Sequence, residues 1–183
     1  FLNAGLSNLM IRLINRGMVR TIAMTGTAAV HDYEMAFFGM THEERKPGLT
    51  DGFYGMARET GEGINEIVNE GVKRGFGLGE CLGRGILDRQ PKNFQQSILA
   101  ACVARMVTPT IHTMVGADGF HCSPMADGAM LGKGSLKDLQ VLATRCEGIH
   151  EGGLIVTAHR GEALRDIVFR AFAVSKNLGS NVD

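Results

Sequence analysis

The length and composition of the chain indicate one folded domain without a strong charge bias. Of its 183 residues, 44% are apolar and 21% are charged, which is enough apolar material to bury a core and excludes a disordered, solvating segment. Nineteen basic residues balance nineteen acidic ones, and tryptophan is absent, so we do not expect a nucleic-acid partner. We expect a single domain over residues 1–183 whose near-zero net charge favours self-association.

The cysteines and the hydropathy pattern point to an intracellular protein. The four cysteines form no CxxC pair, so a structural zinc site is not expected, and we predict reduced, mostly buried thiols. No apolar run reaches the roughly 18 residues of a membrane span, and no secretory signal opens the sequence. We therefore predict a cytoplasmic protein that does not associate with a membrane.

The first forty residues predict a helix, a strand and a second helix. Apolar side chains recur at helical spacing from Leu6 to Ile14, and Gly17 follows where a helix ends. The apolar run over 18–24 is typical of a strand in a parallel sheet. A small-residue turn from Thr25 to Ala29 is then expected before a helix over 31–38.

The rest of the chain alternates helices with two further apolar strands. A polar excursion is predicted near 41–60. Farther along the chain, Ser135 is expected to be the N-cap of a helix. The expected elements are helices around 64–72, 78–87, 94–106, 136–142 and 164–172, and strands at 110–115 and 154–158. This alternation predicts the α/β class, with a mainly parallel sheet flanked by helices.

Three polar or small-residue segments follow the three predicted strands. They are Thr25-Gly26-Thr27, the loop from Gly116 to His121, and His159 to Glu162. In open parallel sheets, ligands bind beyond the carboxyl ends of the strands, so these segments should meet at one edge. The sequence therefore predicts a binding site there.

Each segment also has a simpler interpretation. Thr25-Gly26-Thr27 can present N–H groups to a phosphate, or can be an ordinary turn between a strand and a helix. Asp118 and His121 can bind a cationic ligand, a ribose or, with His112, His150 or His159, a metal ion, or they can bond only to their own loop. The residues alone leave these alternatives open.

Several motifs resemble the deoxyhypusine synthase family. The longest runs from Gly116 to Ala129 and reads GADGFHCSPMADGA, in which Asp118, His121 and the Asp-Gly-Ala keep the family's spacing. Further matches lie in NAGL near the start, in Thr25-Gly26-Thr27 with Asp32, in EGGLIV, and in the final KNLG. The similarity covers the first quarter of the chain and about its last 75 residues.

The resemblance implies a Rossmann-like fold that binds NAD in a homo-oligomer, commonly a tetramer. Family members oxidise spermidine with NAD and pass its aminobutyl group through an enzyme lysine to a lysine of a translation factor. The implied cofactor-binding residues are Asn3, Thr25, Gly26, Thr27, Asp32, Asp118 and Gly119, and the implied substrate-binding residues are His121, Asp127 and His159. No metal site is implied.

Two departures from the family pattern keep other functions open. His31 precedes Asp32 where relatives carry a second acidic residue, and Ala158-His159-Arg160 stands where relatives carry a small-residue turn. The family's imine-forming lysine would lie beyond Asp183, so the catalytic residue is unknown and we expect no aminobutyl transfer by this chain alone. The alternatives are a non-catalytic paralogue acting as a binding or structural subunit, and a metal-dependent hydrolase or lyase on the same scaffold.

Overall fold

Two parallel strands lie among eight α-helices in the described part of the chain. The computed structural model describes residues 2, 5–41, 45–147, 149, 152–158 and 162–180. In chain order the elements are α1 (Ser7–Asn15), β1 (Thr21–Thr25), α2 (Gly26–Phe38), α3 (Arg45–Asp51), α4 (Arg58–Lys73), α5 (Leu78–Arg89), α6 (Ile98–Ala104), β2 (Thr108–His112), α7 (Gly128–Cys146) and α8 (Glu162–Asn177). Short 3₁₀ helices span Phe94–Gln96 and Gly119–Cys122.

The strands β1 and β2 pair in parallel, with Thr21 opposite Thr108 and Thr25 opposite His112. The long connection between them contains α2 to α6. The fold is therefore mixed α/β and mostly helical, and the prediction of parallel pairing between the first two strands is confirmed.

Alternate residues of β1 pack into two separate apolar clusters. Met24 is buried in the larger cluster, and Ile22 packs against it. Ala23 packs against the smaller cluster, which α7 and α8 build around Leu142 and Ala171. Because successive side chains of a strand point to opposite faces, this alternation places apolar helices on both sides of the strand.

The predicted turn after β1 is the first turn of α2. Thr25 has extended backbone angles (φ −76°, ψ 159°), and its hydroxyl accepts a 3.2 Å hydrogen bond from the N–H of Ala28. A threonine in this position satisfies one of the free N–H groups at a helix start. The strand therefore passes directly into α2, which ends as predicted at Gly39, a residue with φ of 75°.

The prediction of a third strand at 154–158 is wrong. Residues 153–158 have no regular secondary structure, and Leu154 and Val156 are 85% and 78% exposed. An apolar run forms a strand only where a neighbouring strand can bind its backbone, and no such neighbour reaches this segment in the described residues. The larger parallel sheet that three such strands would form is thus reduced to two strands here.

Two further element boundaries differ from the prediction. Helix α7 begins after Asp127 rather than Ser135, because the Asp127 carboxylate accepts hydrogen bonds from the N–H groups of Ala129 (2.8 Å) and Met130 (3.2 Å). The strand β2 starts at Thr108, whose N–H donates to the carbonyl of Arg20. The polar excursion near 41–60 contains the short helix α3 and the start of α4.

The remaining helices follow their apolar periodicity. The side chains that predicted α4 are all buried, as are the central residues of α5. Cys81, Cys102 and Cys146 are buried and free, as predicted, whereas Cys122 is exposed. No helix in the described ranges is both long and apolar enough to cross a bilayer.

Candidate functional site

The ends of β1 and β2 are joined by a hydrogen bond between two predicted site residues. The Thr27 hydroxyl donates a 2.8 Å bond to Oδ1 of Asp118. Gly26 lies directly beneath the same carboxylate, and a Cβ at this position would overlap the Asp118 side chain. The prediction that the loops after the first two strands meet is therefore confirmed for Gly26, Thr27 and Asp118.

The Asp118 carboxylate is buried at the start of α2. The side chain is 3% exposed, and its Oδ2 accepts a 3.2 Å hydrogen bond from the N–H of Met114. A negative charge beside the first turn of a helix is favoured by the free N–H groups and by the helix dipole. Asp118 thus occupies the position at the start of α2 where an anionic ligand would bind.

His121 is fixed in the same loop by its ring nitrogen. The N–H of Gly116 donates a 3.3 Å hydrogen bond to Nδ1, which leaves the ring proton on Nε2 in the neutral imidazole. Nε2 is buried and has no hydrogen-bond partner among the described residues. Burial lowers the pKa of His121, while the nearby Asp118 charge opposes that shift. The ring therefore accepts one hydrogen bond within the loop through Nδ1, and its Nε2 stays unpaired among the described residues.

Two asparagines of α4 hold this loop in place. Asn65 donates 2.8 Å hydrogen bonds to the carbonyls of Gly61 and Phe120, and Asn69 donates a 3.1 Å bond to the carbonyl of Met125. Sequence reasoning missed both residues. The signal was a pair of amides four residues apart beside the apolar stripe of α4, which places them on one side of the helix.

His112, which the sequence suggested only as a further metal ligand, is a second histidine at this edge. It ends β2 opposite Thr25, is 5% exposed, and its Nε2 lies 3.1 Å from the Thr110 hydroxyl. Burial lowers the pKa of His112 to about 4. The imidazole is therefore neutral near pH 7 and cannot balance the charge of Asp118.

Asp32 lies away from this edge and bonds to the start of α6. Its carboxylate accepts hydrogen bonds from the Ser97 hydroxyl (2.6 Å) and from the N–H groups of Ile98 (2.7 Å) and Leu99 (3.1 Å). Burial raises the pKa of Asp32 to about 6, although these three donors favour the charged form. The structure gives Asp32 a packing role between α2 and α6.

Asp138 has the same kind of role at the start of α5. Its Oδ2 accepts hydrogen bonds from the N–H groups of Gly79 (2.9 Å) and Ile111 (2.7 Å). Burial raises the pKa of Asp138 to about 7. One carboxylate thus binds α5 and β2 to α7.

The other predicted site residues have mixed placements. Asp127 caps α7, and Gly119 packs against the backbone of Gly55. Asn3 and His159 lie outside the described residues. Within the described ranges, no three histidine, cysteine or carboxylate side chains are grouped as metal ligands.

Comparisons with known proteins add no family to this geometry. The chain matches no protein-family model, and neither the curated proteins nor the solved structures give a significant match.

Proposed function

We propose that the chain is a nucleotide-binding α/β domain of the deoxyhypusine synthase type, with a Rossmann-like arrangement and NAD as its cofactor. By that resemblance it belongs to a cytoplasmic homo-oligomer, a tetramer, that serves transfer of the aminobutyl group of spermidine to a lysine of a translation factor. The observation that carries the proposal is the Thr27–Asp118 hydrogen bond, because it brings two motifs of the resemblance together at the carboxyl ends of parallel strands.

The chemistry of the donor set suits a nucleotide. A carboxylate is a strong acceptor for ribose hydroxyls, and each Asp118 oxygen accepts one hydrogen bond from the described residues, which leaves further lone pairs. When bound, NAD supplies the hydride acceptor that amine oxidation requires.

NAD can bind beside Asp118 only if the loop over 114–121 moves. Asp118 is almost fully buried, and its carboxylate already lies where a pyrophosphate would approach α2. Nucleotide binding must therefore turn the carboxylate outward, away from Gly26 and toward the ribose. The loop can yield because Met114 is half exposed and Val115 is 85% exposed.

A non-catalytic paralogue is the second candidate function. The observation in its favour is the same burial, because Asp118 bonds to Thr27 and Met114 as a purely structural residue would. The described residues contain no cluster of metal-binding side chains that would support the alternative of a metal-dependent hydrolase or lyase.

Cys122 provides a direct probe of these alternatives. It is exposed and lies in the 3₁₀ helix that follows Asp118. We expect NAD to slow the alkylation of Cys122 by iodoacetamide in the wild-type chain and in the E70Q control, whose altered side chain lies on the exposed face of α4. The same NAD should leave the alkylation rate of D118N unchanged. An unchanged rate in the wild type at saturating NAD, or equal slowing in D118N, would exclude the proposed cofactor site and favour the non-catalytic function.

A further inference from the structure

A second surface with its own chemistry lies at the opposite end of the strands from Asp118. We call it the arginine end, and it consists of Arg12, Arg16, Met18, Arg20, Arg105 and Met106. All six side chains are exposed, and Met18 and Met106 are 68% and 93% exposed.

Backbone and side-chain hydrogen bonds bring these residues together. The carbonyl of Arg20 accepts the N–H of Thr108 where the two strands begin. Arg105, at the end of α6, donates a 2.8 Å bond to the Asn15 side chain at the end of α1. The N–H of Arg16 bonds to the carbonyl of Arg12, one turn earlier. The four arginines thus lie at the ends of α1 and α6 and at the start of the sheet.

The charge of this end is not balanced by its own segments. Residues 1–31 and 91–117 contain five lysine and arginine side chains and no aspartate or glutamate, so all nineteen acidic residues lie elsewhere. The three ion pairs identified in the described part of the chain involve Arg58, Arg84 and Arg89, and none involves the arginine end. The four arginines of this end therefore have no ion pair among the described residues.

Met106 lies just after the C-terminal end of α6 and is the most exposed apolar residue of this surface. Its φ is 57°, in the left-handed region that non-glycine residues rarely adopt, and its side chain is almost fully exposed. This conformation ends α6, where the N–H of Met106 donates to the carbonyl of Val103 and the N–H of Val107 donates to the carbonyl of Cys102. Methionine is flexible and polarisable, so an exposed pair of methionines suits contact with varied apolar side chains.

We infer that the arginine end binds an acidic segment of a partner protein in which leucine-like side chains alternate with glutamate or aspartate. Guanidinium groups pair with carboxylates through two parallel hydrogen bonds, and the two methionines supply the contacts for the apolar side chains. Nucleic acid is less suited, because none of these six residues carries an aromatic ring on which a base could stack. A membrane surface is less suited for the same reason, since interfacial anchors are commonly aromatic. The inference does not rest on the proposed NAD site, which lies at the other ends of the strands.

The test is fluorescence anisotropy with the full chain and a short labelled peptide of alternating glutamate and leucine. We expect saturable binding that weakens as salt is added, because exposed charge pairs are screened. The R16E/R105E double variant should weaken binding by about tenfold or more, and M18Q/M106Q by several-fold. The matched control K133E/K137E makes the same change in net charge on exposed positions of α7 and should bind as the wild type does.

Three outcomes would overturn the inference. The first is no binding of the peptide at low salt by a wild-type chain with a cooperative thermal transition. The second is equal loss in the K133E/K137E control, which would mean attraction by net charge alone. The third is tighter binding to single-stranded RNA or to phosphatidylserine vesicles, measured in parallel, than to the peptide. If the R16E/R105E variant fails to fold, weaker peptide binding by M18Q/M106Q still tests the inference.

Discussion

The hydroxyl of Thr27 donates a 2.8 Å hydrogen bond to Asp118 across 91 residues of sequence, with Gly26 packed beneath the carboxylate. This contact fixes the end of β1 to the loop that follows β2. It also places a negative charge at the start of α2. The stability of this edge and its proposed binding function therefore depend on the same few atoms.

The close contact between Gly26 and Asp118 predicts that G26A changes stability in opposite directions when Asp118 is present and when it is replaced by alanine. G26A should destabilise the wild-type chain by about 2 kcal/mol, because the new Cβ forces the Asp118 side chain to move. In a D118A background the same change should be neutral or stabilising, since alanine loses less backbone entropy than glycine in a helix. Urea unfolding of the two single variants and the double variant measures the coupling, and simple additivity would contradict the packing described here.

The hydrogen bond itself predicts a coupling between Thr27 and Asp118. T27V and D118A should each lower the free energy of unfolding, and the double-variant cycle should give a coupling of about 1 kcal/mol. As a control, T144V removes an exposed hydroxyl that bonds to the Gln140 carbonyl, and its coupling with D118A should be near zero. Equal coupling in both cycles would show that the effect is not local.

The buried carboxylate Asp138 and the buried imidazole His112 should give opposite pH dependences. The folded-state pKa of Asp138 is raised to about 7, so its stabilising contribution is complete below pH 4 and is lost as pH rises towards 7. The folded-state pKa of His112 is lowered to about 4, so its contribution is present above pH 6.5 and is lost as pH falls towards 4.

Urea unfolding at several pH values separates these two contributions. The loss of stability in D138N, relative to the wild type, should grow as pH falls from 7 to 4, whereas the loss in H112Q should shrink over the range from 6.5 to 4. Parallel pH curves for the wild type and either variant would show that the corresponding group has an ordinary pKa in the folded chain.

Thiol reactivity should report the local packing of the loop after β2. One cysteine, Cys122, should react with a disulfide reagent in the native chain, and all four should react in denaturant. Burial raises the pKa of Cys81 and of Cys102 to about 12, which further suppresses their reaction. C122S should abolish the native signal, and a second native thiol reacting at the same rate would contradict the burial of the other three.

The asparagines of α4 predict how this loop opens. N65A removes the side-chain donor to the Phe120 carbonyl in a fully buried position, so it should cost about 1–3 kcal/mol and accelerate hydrogen exchange across 114–125. N69A removes a bond at a less buried position and should have a smaller effect. Equal protection of the loop in N65A and the wild type, measured by mass spectrometry, would show that Asn65 does not hold the loop in place.

Local patterns predicted much of the fold, and their failures have physical causes. Helices α4 and α8 could be predicted from their apolar stripes, and the end of α2 from the glycine that follows it. Each of these signals depends only on residues nearby in the sequence. The meeting of Thr27 and Asp118 followed from the general behaviour of parallel strand ends. The run at 154–158 misled because an apolar segment cannot show whether a partner strand is present. Asp32 was assigned to the cofactor from the family resemblance, and its hydrogen bonds to Ser97 and the start of α6 could not be predicted because these partners are more than sixty residues away.

Calorimetric titration of NAD into the full wild-type chain, D118N and the E70Q control tests whether the Thr27–Asp118 edge binds a nucleotide. We expect a single-site isotherm for the wild type and for E70Q, and at least about tenfold weaker binding by D118N, whose folding is checked by circular dichroism. The absence of binding heat in the wild type at several temperatures, or equal affinity in D118N, would contradict the assignment of a nucleotide site to the Thr27–Asp118 edge.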